Sequence, residues 1–116
     1  MGDKTLEMTM LFDFFGDLLT DKQKEYCDLY YNDDLSLSEI AESTGISRQG
    51  VRDNIVRAEN SLREFEAKTG VVKRFEEMQQ NISKIEDDLR ALASKLKNDD
   101  RDMAEEIISK LQDLKG

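Results

Sequence analysis

Residues 37–62 read LSEIAESTGISRQGVRDNIVRAENSL, and the spacing within this stretch decides the fold. Leu37, Ile40 and Ala41 recur at helical intervals, and Thr44-Gly45-Ile46 then breaks the run. Glycine enters the left-handed region without a Cβ clash, so Gly45 marks a sharp turn. Ser47 opens a second helix whose apolar residues Val51, Ile55, Ala58, Leu62 and Phe65 are spaced four, three, four and three. Two helices joined this way form a helix-turn-helix, whose second helix can enter a groove about 12 Å wide in duplex DNA.

If Val51, Ile55, Ala58 and Leu62 turn inward, Arg48, Gln49, Arg52, Asp53 and Val56 face outward or flank that face. Arginine pairs with guanine through two hydrogen bonds, glutamine does so with adenine, and aspartate accepts from cytosine. Base readout is therefore expected from Arg48, Gln49 and Arg52. The Ser47 hydroxyl and the free N–H groups beside it suit a phosphate. Arg57, Ser36 and Ser38 are further candidates for backbone contacts.

Working outward, Ser36-Leu37-Ser38-Glu39 and Thr20-Asp21-Lys22-Gln23 are capping boxes that open helices. Helix two is expected over Asp21 to Tyr31, with Tyr26, Cys27 and Tyr30 inside. Before it, Met8, Leu11, Phe12, Phe15, Leu18 and Leu19 give a first amphipathic helix a broad apolar face, with Gly16 inside it.

Past Gly70, Val71, Phe75, Met78, Ile82, Ile85, Leu89, Leu92 and Leu96 alternate four and three, a heptad seam. A helix from Val71 to Lys97 would be roughly 40 Å long. Asn98-Asp99-Asp100 interrupts it, and Met103, Ile107, Ile108, Leu111 and Leu114 make a shorter last helix folded back on it. Glu86, Asp87 and Asp88 lie mostly off the seam and are expected to face water. The expected fold is all-α, with a helix-turn-helix bundle over 1–70 and a helical hairpin over 71–116. Because the last helix is the shorter, part of the seam stays bare in one chain. Phe75, Met78, Ile82, Ile85, Leu89, Leu92 and Leu96 are therefore expected to join a homodimer.

Composition narrows the function. The 116 residues hold no proline and no histidine, one cysteine, and 37% charged side chains. Lack of histidine removes the commonest general base and metal ligand, so an enzyme, a metal or a cofactor is not expected. Asp99, Asp100 and Asp102 lack calcium-loop spacing and read as a turn and helix cap. Met1-Gly2 opens like an acylation signal, but Leu6 stands where serine or threonine is required. With no secretory or membrane-spanning run, the expected location is the cytoplasm, without membrane or small-molecule partners. Residues 1–70 carry 8 basic and 15 acidic side chains, yet Ser47 to Arg63 is net +2. One arginine-bearing helix stands on an acidic body.

Leu19-Thr20, Gln23-Lys24-Glu25, Leu29-Tyr30-Tyr31, Leu35-Ser36, Glu39-Ile40-Ala41, Gly45-Ile46-Ser47, Val51-Arg52 and Arg57-Ala58 resemble region four of bacterial sigma factors. That resemblance implies a promoter-reading module. Over nearly the whole chain, Leu11-Phe12-Asp13-Phe14-Phe15, Leu19 to Gln23, Glu39-Ile40-Ala41-Glu42, Ser47 to Asp53 and Glu64-Phe65-Glu66 with Lys68-Thr69-Gly70 are similar to the YlxM family. The family consists of bacterial proteins inferred to bind DNA, encoded beside genes of the signal recognition particle. The resemblance implies a DNA-binding regulator linked to protein export, with double-stranded DNA as partner. The alternative it leaves open is a non-catalytic protein- or RNA-binding adaptor of the signal recognition particle machinery.

Overall fold

A computed structural model describes residues 6–116; Met1 and Gly2 lie outside the described residues. Among the described residues six α-helices follow in order: α1 (Leu6–Phe15), α2 (Asp21–Cys27), α3 (Leu37–Thr44), α4 (Arg48–Thr69), α5 (Val71–Ala93) and α6 (Asn98–Lys115). There is no strand among the described residues. The chain divides into two compact units, residues 1–72 and 73–116.

In the first unit α4 packs against α1, α2 and α3. Val51, Ile55, Ala58 and Leu62 have no exposed surface, and around them lie Met8, Leu11, Phe12, Phe15, Tyr26, Cys27 and Ile40. Thr20 and Ser36 each accept from the backbone N–H three residues on, while Gln23 and Glu39 reach back to the cap. Both expected capping boxes are therefore formed. Burial pushes the Cys27 thiol up to about 12, with the Glu59 charge adding to it, so the thiol stays protonated and inert.

Two departures from the expected helices have local causes. After Phe15 the chain tightens into a 3-10 turn over Gly16–Leu18. Three residues per turn rotate Leu18 off the apolar face, and it is 64% exposed rather than buried. Regular α2 ends at Cys27, and Asp28–Asn32 continue as a π-helical turn in which the Asp33 N–H donates to the Asp28 carbonyl at 3.2 Å.

The second unit is a hairpin of α5 and α6. Helix α5 stops four residues short of Lys97 because Lys95 and Leu96 bond back only three residues, to Leu92 and Ala93. Asn98, Asp99 and Asp100, expected to interrupt the long helix, instead form the first turn of α6, and the break falls earlier, over residues 94–97. Ala93, Ala104 and Ile108 make its small core, with Leu89 and Leu96 against them.

Glu86 corrects the expectation of a water-facing acid, being 7% exposed. Its carboxylate accepts from Arg90 (2.8 Å), Gln112 (3.2 Å) and Lys115 (3.0 Å), so one acid ties α5 to α6. These donors, Arg90 first and Lys115 next, hold its carboxyl down to about 2.

Two outcomes follow from this packing. Ile55→Ala empties a fully buried site and should cost about 2–5 kcal/mol in urea unfolding. Because folding lowers the Glu86 carboxyl below its ordinary 4.5, its contribution is present above pH 4.5 and fades as pH falls toward 2. Between those pH values, thermal melts of wild type should lose more stability than melts of Glu86→Gln.

Candidate nucleic-acid interface

The turn that aims α4 is three residues long. Gly45 adopts φ +79°, and its N–H donates to the Ala41 carbonyl at 3.0 Å, closing α3. Ile46 packs against the core, and the Ser47 hydroxyl oxygen accepts from the Gly50 N–H at 3.0 Å. A Cβ at Gly50 would stand 3.1 Å from that same oxygen, so the cap is tightest with glycine there. The Ser47 oxygen is thus occupied inside the chain, and what it retains for a ligand is its hydrogen.

With one face of α4 buried, the other is defined. Arg48, Gln49 and Arg57 are exposed, whereas Arg52, Asp53 and Val56 are half-buried. The Gln49 amide donates to Asp53 at 2.9 Å, and the Arg52 guanidinium lies 3.8 Å from the same carboxylate. Asp53 therefore gathers two of the three expected base readers. Arg48 and Arg57 make no ion pair among the described residues. Ser36 spends its side-chain oxygen on the Glu39 N–H, while Ser38 is exposed.

One contact beneath this face escaped the sequence reading. Glu59 is 3% exposed, and its carboxylate accepts from the Tyr31 hydroxyl. Tyr31 comes from the π-helical turn, so this bond joins that turn to the middle of α4. Burial first, and then the Glu59 bond, push the Tyr31 hydroxyl above its ordinary value. The phenol stays protonated and donates. A glutamate in a charged helix carries no sequence mark of burial; only its position directly after Ala58, on the inner edge, was a sign.

A short helix, a three-residue turn carrying a left-handed glycine, and a second helix held by its inner face define a helix-turn-helix protein. The chain belongs to the family described as "Putative helix-turn-helix protein, YlxM / p13 like" (UPF0122), whose model matches residues 2–113. It is 44% identical over 115 residues to a UPF0122 protein of a Thermoanaerobacter species, covering 98% of each chain. A UPF0122 protein of Caldanaerobacter subterraneus is 53% identical over 87 residues, 75% of this chain and 74% of the relative. One from Bacillus cereus is 51% identical over 85 residues, 73% of this chain and 77% of the relative. No described helix is long and apolar enough to cross a membrane.

Tyr31→Phe leaves the Glu59 carboxylate buried without its donor and should cost about 1–3 kcal/mol in urea unfolding. Pairing it with Glu59→Leu should recover part of that loss, since both polar partners are then gone.

Proposed function

We propose that this chain is a DNA-binding regulatory protein whose helix α4 enters the major groove of duplex DNA. The observation that carries the reading is the outward face of α4. There Arg48 and Arg57 are exposed without an ion pair among the described residues, and Arg52 has only Asp53, at 3.8 Å. Arg48, Gln49 and Arg52 read bases, and Asp53 orients the latter two or accepts from cytosine. Val56 supplies an apolar contact. Ser47, Arg57, Ser36 and Ser38 meet phosphates. The protein acts in the cytoplasm, as a homodimer, by binding alone, without cofactor, small-molecule substrate or chemical step. The similarity to sigma region four and to the YlxM family supports a regulatory role tied to protein export.

A second reading is favoured by the acidic surface of the first unit. Phe14 is 41% and Leu18 64% exposed, in a stretch with Asp13, Asp17 and Asp21. Such a patch suits a basic protein surface, so a non-catalytic adaptor docking on basic components of the signal recognition particle machinery is the competing function, RNA being reached only through the arginines of α4. Co-sedimentation with those components, run beside a duplex gel shift at moderate salt, separates the two.

Under the first reading, Arg48→Ala and Arg52→Ala should each weaken binding to a selected duplex about 5- to 150-fold, the range for one lost base contact. Helical content should not change. Affinity should fall steeply with salt, each lost phosphate contact flattening the log–log slope by about 0.9. Equal binding by wild type and both variants overturns the reading.

A further inference from the structure

The hairpin leaves an apolar face that its own two helices do not use. Of the seam residues on α5, Ile82 is buried, Leu89 and Leu96 pack on the hairpin core, and Phe75 is half-buried. Met78, Ile85 and Leu92 remain 54%, 49% and 50% exposed. They are spaced by seven, so they lie on one line along the helix. On α6, Met103, Ile107 and Leu114 are exposed too, at 62%, 40% and 66%. Where the stripes approach the hairpin's turn, Leu92 on α5 and Met103 and Ile107 on α6 line a groove of about 250 Å³ together with Leu89, Leu96 and Ala104. Six large apolar side chains on a unit whose own core is two alanines and an isoleucine call for a cover.

We infer that the cover is a second copy of this chain, with the two hairpins face to face and antiparallel about a two-fold axis beside Ile85. This deepens the homodimer part of the reading above and rests on it, but not on DNA binding. Met78 and Leu92 lie seven residues to either side of Ile85. In that register Met78 of one copy meets Leu92 of the other, and Ile85 meets its equivalent. The α5 helices then lie over one another, as do the α6 helices, where Ile107 meets Leu114.

The charges beside the stripe fix the direction. On the edge of α5 away from α6 stand Glu77, Lys84 and Asp88, with Lys95 in the turn just past its end, all exposed and without an ion pair among the described residues. Their signs run minus, plus, minus, plus. The antiparallel register sets Glu77 beside Lys95 of the second copy and Lys84 beside Asp88, each pair occurring twice. A parallel register would set every one of them beside its own kind, which is unfavourable.

The full chain supplies the test, because Cys27 is buried and silent toward oxidants. Sedimentation without DNA should give a dimer. Under oxidised glutathione, Ile85→Cys should cross-link to itself far faster than Asp87→Cys, which is exposed on the opposite side of α5. Lys84→Glu should weaken the dimer roughly 2- to 30-fold by removing both of its pairs, and Lys84→Glu with Asp88→Lys should restore it. A monomer at tens of micromolar overturns the proposal. A dimer in which residues 85 and 87 cross-link equally overturns this geometry while leaving the homodimer reading standing. Loss of DNA binding in the arginine variants bears on neither result.

Discussion

The first unit depends on one buried stripe, formed by Val51, Ile55, Ala58 and Leu62 along α4. Each has no exposed surface, and three helices converge on them. A helix has only one rotation about its axis, so burying these four residues also decides what the opposite side presents. Arg48, Gln49 and Arg57 are in solvent because Val51 and Ile55 are not. Apolar burial, at about 25 cal/mol per Å² removed from water, supplies the force that aims a polar surface.

The second unit is held differently. Its apolar core is small, and the Glu86 carboxylate, with three donors from both helices, takes over part of the work of joining them. A buried acid with every donor in place specifies register more sharply than alanine packing does, because any axial slip leaves a charge unpaired. The hairpin therefore gains its alignment from a polar clamp on one side while its large apolar residues stay on the surface.

Much of this was legible in the residues. Both capping boxes, the Gly45 turn and the inner face of α4 follow from rules that act within a few positions, so a local pattern suffices to read them. Leu18 was misplaced because a 3-10 turn at Gly16 changes the angular step, which a count of helical intervals assumes constant. Glu59 and Glu86 look like ordinary surface acids until their partners, 28 and 26 residues distant, are known. At the candidate interface the identities of the outward residues followed from the inward ones. Their mutual bonds, with Asp53 gathering Gln49 and Arg52, did not, because those depend on side-chain rotamers that no spacing encodes.

The π-helical turn at Asp28–Asn32 carries a consequence of its own. A turn that closes over five residues in place of four holds one residue more than regular helix would. The extra residue is absorbed within the turn itself, which ends at Asn32 before the chain enters α3. Tyr30, which is buried, and Tyr31, whose hydroxyl donates to Glu59, both stand inside it. The wider turn thus puts two neighbouring phenols to different uses, one in the apolar core and one on a buried carboxylate.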